Sequence, residues 1–393
     1  MARQHLLSDF NTDVIGGIVL ALAALVALVV ANSTLAPVYF GWLAQHHTLT
    51  LGSFTATLST AHWIKDGLMT LFFFAAGLEI KREIVGGELS SPRTLALPVL
   101  AALGGMVVPA LIYLAFNLGA AGAPHGWPVP VATDIAFAIA TFAAFGSRAP
   151  TSLKIFLLTV AVVDDLGAVV LIATVFSHGV ASTLMMQAAL VTAALAAAGL
   201  WRRAPGWVFL FGLCILWAVV LQSGIHPSVA GVAAALCVPA RAHKGGARST
   251  LSVLHHALQP VVMWGIMPLF AFAAAGISLH QMQLGDVASP EAIGIIAALV
   301  IGKPIGVFGA VWLCVRLKLS RKPLGATWVQ MFAVSCLCGI GFTMSLFLGA
   351  LAFDGQPHGF EIAKLGVMIG SLCAMVIGCV LLVHSSQKRG PST

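Results

Sequence analysis

TSLKIFLLTVAVVDDLGAVVLIATVF, residues 151–176, sets two adjacent aspartates, Asp164 and Asp165, in the middle of an apolar run. A bilayer-spanning helix needs about 20 apolar residues, and this run supplies them. A charge at mid-membrane costs about 2.5–3.5 kcal/mol on insertion scales. The stretch therefore reads as a membrane span whose centre has a use for carboxylates.

The rest of the chain agrees. Of its 393 residues, 59% are hydrophobic and only 8% are charged, against about 25% charged in soluble domains. Too few polar residues remain to cover a soluble surface of this size. Long unbroken apolar runs exclude a porin-type barrel, which alternates over short segments. The seven cysteines all fall in apolar runs, their number is odd, and no CxxC pair is present. They read as packing residues, not as a zinc site or disulfide framework. The fold class is all-α and polytopic.

Twelve runs are predicted to span: about 14–31, 62–85, 95–117, 123–145, 151–176, 183–200, 205–222, 225–240, 255–277, 291–314, 325–352 and 358–384. With the N-terminus in the cytoplasm, the cytoplasmic segments collect Arg3; Lys81, Arg82 and Arg93; Arg148 and Lys154; Arg202 and Arg203; Arg241, Lys244 and Arg248; Arg316, Lys318, Arg321 and Lys322; and Lys388 and Arg389. The external loops hold none. Lys65, Lys303 and Lys364 lie within spans. This asymmetry follows the positive-inside rule and puts both termini in the cytoplasm. It also accounts for the net charge of +7 without nucleic acid. In the first external loop, residues 48–58 alternate polar and apolar around Gly52-Ser53, which predicts a β-hairpin with a two-residue turn. Its open edge could pair with a second copy and support a homodimer.

Asp134, Asp164, Asp165 and Lys303 fall near the centres of their spans, at a combined cost on the order of 10 kcal/mol. A buried ion-pair network that only fixes helix contacts is the bland alternative, but an apolar core is usually as stable. Two spans look broken at the same depth. Pro128-Val129-Pro130-Val131-Ala132-Thr133-Asp134 loses backbone donors at its prolines, and Thr133 or Asp134 can cap a restart. Cys338-Gly339-Ile340-Gly341-Phe342-Thr343 suggests a second unwound stretch. The broken spans are the fourth and the eleventh. Spans 3–5 begin inside and spans 10–12 begin outside, the arrangement of an inverted repeat. If the breaks cross, like ends of the half-helices meet: Asp134 suits the two N-termini and Lys303 the two C-termini. Unpaired backbone at that depth requires a polar cavity, and carboxylates lining it make a cation site. Asp164 and Asp165 project about 100° apart, so one can face the cavity, and one is expected to pair with Lys303. Burial and neighbouring charge let protons compete with a small cation for the same oxygens. Hard oxygens suit Na⁺ or Li⁺, and Thr133 can add one more. No cofactor is needed.

At these residues the chain resembles the NhaA-type sodium/proton antiporters. The motifs are GLEIKRE at 77–83, ATDIAFA at 132–138, DDLGA at 164–168, PLFAFA at 268–273, IGKPIG at 301–306 and CGIGFTMS at 338–345. The resemblance implies that Asp164 and Asp165, with Thr133, bind Na⁺ and protons, that Thr133 and Asp134 occupy the first break, and that Lys303 lies opposite. It implies inward movement of about two protons per exported sodium by alternating access, with Asp164 carrying one and Asp165 or Lys303 the other. Residues 95–176 and 291–384 would form the ion-transport core, and 14–85 and 183–277 the interface helices of a bacterial inner-membrane protein. It further implies pH control at the cytoplasmic mouth, where Glu79, Lys81, Arg82 and Glu83 cluster. A solvated span end explains that cluster equally well. Near it His256 matches the family, but His255 stands where an acid is expected, Gln259 where a histidine is expected, and Ala274 replaces an expected amide. These departures put the pH threshold in doubt. His226 matches a family histidine near the external side; a structural role is its simpler reading.

Other readings fit less well. An intramembrane aspartyl protease would use paired aspartates such as Asp134 and Asp164, but no GxGD motif is present and Lys303 has no part in that chemistry. A channel needs a continuous pore. A K⁺/H⁺ exchanger or a sodium-coupled symporter on the same scaffold is the nearest rival.

Overall fold

A backbone crossing lipid must satisfy its own N–H and C=O groups, so long apolar runs fold as helices. The computed structural model describes residues 2–52, 54–87, 92–120, 122–145, 149–177, 179, 181–201, 204–241 and 248–387. Among them eight helices are long and apolar enough to cross a membrane: Thr12–Ala31, Leu95–Asn117, Thr151–Val175, Ser182–Leu200, Gly206–Ser223, Thr250–Ala275, Pro290–Arg316 and Pro357–Ser385. Two further pairs are apolar enough but bent, Pro124–Val131 with Ile135–Phe145 and Trp328–Leu337 with Phe342–Ala352. That makes up to ten spans where twelve were expected. The expected span at 225–240 is a helix of only 10 residues, Ser228–Cys237, about 15 Å long. The one at 62–85 is helical, but Met69–Gly86 carries Glu79, Lys81, Arg82 and Glu83. Large apolar side chains cover much of the outside: Leu190 is 69% exposed, Phe211 64% and Leu111 60%. Exposed apolar area on this scale fits a lipid-facing surface.

The hairpin forms where the alternation predicts it. Strands His46–Leu51 and Phe54–Ser59 pair antiparallel, with Thr50 opposite Thr55 and Leu51 opposite Phe54. Gly52 turns with φ 62°, a conformation that glycine adopts without penalty. Ser53 and both chain ends lie outside the described residues.

The chain divides into two units. The first comprises residues 1–28, 91–167 and 275–393. Here the Pro92–Asn117 and Lys303–Arg316 helices meet at Gly104 and Gly306, each of which would drive a Cβ into the other's carbonyl oxygen. Lys154 Nζ pairs with Asp13 Oδ2 at 2.8 Å, and a side chain at Gly17 would collide with Ala140. These contacts group the first helix with this unit. The second unit comprises residues 29–90 and 168–274. Its core joins Phe74 and Leu78 to Leu213, Leu216, Ala234 and Ala235. Gly77 lets the Ser228–Cys237 helix approach closely at Val232 and Ala235.

Wide helical turns interrupt the ladders at Val262–Ile266 and Ala298–Gly302. Each precedes a proline. Pro268 and Pro304 cannot donate to the carbonyls of Trp264 and Val300, and their rings crowd those carbonyls, so the turn opens. The second wide turn ends directly at Lys303. A third, Trp63–Leu68, has no such proline.

Candidate functional site

Proline decides the first break. After the tight turn at Val129–Val131 the backbone extends at Ala132, with ψ 152°. Asp134 Oδ1 then accepts the Phe137 N–H at 3.0 Å and caps the Ile135–Phe145 helix. The two halves bend by 42°. The second break, at Cys338-Gly339-Ile340-Gly341, bends by 44°. Glycine is required at 339, where a Cβ would lie 2.4 Å from the Leu299 carbonyl oxygen.

The breaks touch one another. The Asp134 N–H donates to the Ile340 carbonyl at 2.7 Å. Thr343 donates its N–H to Asp134 Oδ2 at 3.0 Å, and its hydroxyl to the same oxygen. Asp134 thus caps two half-helices with one carboxylate. Each helix N-terminus carries roughly half a positive charge, so the one carboxylate approximately balances the two.

Beside the breaks sits a buried charge pair. Lys303 Nζ donates to Asp164 Oδ2 at 2.6 Å and to Thr133 Oγ1 at 3.0 Å. The Thr133 hydroxyl lies 2.7 Å from Asp164 Oδ2 and 2.8 Å from the Cys338 carbonyl. It has one hydrogen and serves one of these acceptors at a time. Among the described residues, Asp164 Oδ1 accepts no hydrogen bond. Thr133, Asp134, Asp164 and Lys303 are all 0% exposed, and Asp165, on the next face of its helix, is 2% exposed. From sequence, Lys303 was to offset the C-terminal ends of the half-helices. It was also expected to pair with one of the two aspartates, and that pair forms with Asp164 as a charge-assisted contact.

The structure thus brings Thr133, Asp134, Asp164, Lys303, Gly339, Gly341 and Thr343 into one neighbourhood, with Asp165 beside them. The remaining singled-out residues belong to the other unit. Arg82 lies 3.8 Å from Glu79 and 3.3 Å from Glu83. His255 is buried and its ring meets His256 edge-on at 5.8 Å, on a helix packed against Met69–Gly86. His226 Nε2 lies 3.2 Å from Asp66 Oδ1, and its Nδ1 lies 2.8 Å from Ser228 Oγ.

Sequence reasoning missed three features. Asp66, the partner of His226, sits too near its span end to stand out. Lys81, expected only as part of the charged cluster, turns its Nζ to the Leu236 and Val238 carbonyls at 2.6 and 2.5 Å, closing the end of the Ser228–Cys237 helix. Ser371 Oγ accepts the Gly341 and Phe342 N–H groups at the second break; a serine in an apolar run carries no signal of its own.

A multi-pass helical chain that buries a lysine–aspartate pair beside two bent spans fits a membrane transporter. The chain belongs to the Na+/H+ antiporter 1 family, which it matches over residues 8–382. It is 46% identical over 383 residues to "Na(+)/H(+) antiporter NhaA 1" of Novosphingobium aromaticivorans, covering 96% of this chain and 89% of that one. It is 45% identical to "Na(+)/H(+) antiporter NhaA" of Pseudomonas putida GB-1, covering 96% and 97%. The antiporter of the same name from Aliivibrio salmonicida is 43% identical, with 97% of each chain covered.

Proposed function

We propose that the protein exports Na⁺ or Li⁺ from a bacterial cytoplasm in exchange for about two protons by alternating access. The observation that supports this most is the state of Asp164. One of its oxygens is held by Lys303 and Thr133, and the other accepts nothing among the described residues. A small cation can engage the uncommitted oxygen and compete with the Lys303 ammonium for the other. Asp165 and Thr133 supply further hard oxygens. Proton binding at Asp164 also releases Lys303, so cation and proton act on the same contact and exclude each other. The second proton travels on Asp165 or Lys303. One net charge then enters per cycle, and each 100 mV of membrane potential contributes about 2.3 kcal/mol.

In this reading the chain has twelve spans, counting 62–85 and 225–240, and both termini are cytoplasmic, as the distribution of Lys and Arg supports. The two bent spans cross at their breaks. Residues 95–176 and 291–384 form the moving core, with 14–85 and 183–277 as interface helices. Two copies pair through the hairpin. Glu79, Arg82, Glu83, His255 and His256 at the cytoplasmic mouth, with His226 on the other side, set the pH response.

The test is proton flux in proteoliposomes after addition of Na⁺, Li⁺ or K⁺, under an imposed potential, with Asp164→Asn beside the wild type. Flux with Na⁺ and Li⁺, accelerated by voltage and lost in the variant, is expected. Flux with K⁺ alone would establish a K⁺/H⁺ exchanger instead. No cation-driven flux from folded protein would reject antiport.

A further inference from the structure

The Phe342–Ala352 half-helix begins inside a bent span with N–H groups that have no partner within the helix, as every helix does. Its cap position is Gly341, which has no side chain to satisfy them. Two other residues do so. Asp134 takes the Thr343 N–H. Ser371, 30 residues further along on the Pro357–Gln387 helix, takes two more: its Oγ accepts from Gly341 at 3.2 Å and from Phe342 at 3.1 Å. Ser371 is 5% exposed, so no bulk water can replace it.

The position of Ser371 in the repeat gives this cap its meaning. In the proposed first repeat, the residue of the following span that contacts the break is Asp164, through the Thr133 hydroxyl. In the second repeat, the residue of the twelfth span that holds the break is Ser371. Asp164 lies 30 residues after the capping Asp134 and Ser371 lies 30 after the cap position Gly341, so the two sit at the same offset, one ionisable and one neutral. Asp164 can exchange its partners with a cation or a proton. Ser371 has no charge to exchange and holds its break in place throughout.

We propose that Ser371 is a positioning residue for ion exchange. By fixing Gly341 and Phe342 it fixes Thr343, whose N–H and hydroxyl hold Asp134, and so keeps the first break in register beside Asp164. Its own hydrogen bonds, among the described residues, go to the break and not to Asp164 or Lys303. This inference rests on the antiport reading for its functional half and on geometry alone for its structural half, and the test separates them.

Ser371→Ala, Ser371→Cys and Ser371→Thr are reconstituted and compared with wild type. Threonine keeps the oxygen, whereas cysteine keeps the size with a weak acceptor. Two readouts are taken, amide hydrogen exchange over 340–345 and KM against kcat for Na⁺-driven proton flux. Alanine and cysteine are expected to speed exchange at 341 and 342 and to raise KM about tenfold. Threonine is expected to stay within about twofold of wild type on both. Unchanged exchange in Ser371→Ala overturns the cap whatever the flux. Faster exchange with an unchanged KM in active protein overturns the positioning role. Absent flux in wild type rejects antiport, and with it the functional half, while the exchange result still decides the cap.

Discussion

Lys303 and Asp164 offer the sharpest quantitative test, because both are 0% exposed and 2.6 Å apart. Lys303→Met removes the ammonium and keeps most of the side-chain volume. It leaves a buried carboxylate with only the Thr133 hydroxyl, and breaking such a pair from one side costs about 3–5 kcal/mol. Asp164→Asn leaves the lysine stranded and carries a similar cost. The double variant strands no charge. Replacing both members of a buried pair is often neutral or stabilising, so its loss should be well below the sum of the singles, with a coupling on the order of 3 kcal/mol. For a chain of 393 residues, each single change should lower Tm by about 4–6 °C if soluble-protein unfolding entropies apply. The nine tryptophans give an intrinsic fluorescence signal for thermal unfolding in detergent. Single variants that lose several degrees beside a double variant near wild type support the pair. A double variant whose loss equals the sum of the singles, within about 0.5 kcal/mol, would refute the reasoning, because independent sites add.

Gly339→Ala places a Cβ 2.4 Å from the Leu299 carbonyl and 3.0 Å from Ala374 Cβ; it should cost about 1–3 kcal/mol, read as lower Tm and yield of folded protein. Thr343→Val removes one of the two donors to Asp134 Oδ2 and keeps the shape, so a loss of about 1–2 kcal/mol is expected, with KM for Na⁺ raised; an unchanged Tm and KM would show that the N–H alone suffices. Replacing the hairpin with a flexible linker should leave folded monomer in native mass spectrometry, and a persistent dimer would place the contact between copies elsewhere.

Much of the fold was legible because lipid leaves the sequence few options. Apolar length marks spans, and Pro128, Pro130, Gly339 and Gly341 mark breaks. Alternation around Gly52 marks the hairpin. Span counting by length stops at ten because Ser228–Cys237 has only ten residues and Met69–Gly86 carries four charges near its end. The wide turns before Pro268 and Pro304 were readable in principle, since each proline leaves a carbonyl four residues back without its partner. The turn at Trp63–Leu68 had no such mark. At the site, Asp134, Asp164 and Lys303 stood out because charge in an apolar run is expensive. Ser371 and the Asp66–His226 pair were invisible for the opposite reason: a serine in a span costs little, and the two members of the pair are far apart in sequence.

The same depth in the chain holds carboxylates of two kinds, and their hydrogen bonds separate them. Both oxygens of Asp134 are taken by backbone and hydroxyl donors, from Phe137 on one side and Thr343 on the other. A cation that bound there would uncap two half-helices at once and leave buried N–H groups unpaired, at about 1–3 kcal/mol each. Asp164 has one committed oxygen and one uncommitted, and its strongest partner is a mobile ammonium on a long stem, not a fixed peptide. Losing that contact opens no helix. In the proposed cycle, exchange therefore falls to Asp164, while Asp134 and Ser371 hydrogen-bond the two breaks around it. An aspartate-to-asparagine change should consequently divide the two: at 134 the amide still accepts through one oxygen and the variant keeps partial transport with a weakened fold, whereas at 164 transport is lost. Equal loss of transport at both positions, with equal Tm, would show that the hydrogen-bond count does not distinguish cap from carrier.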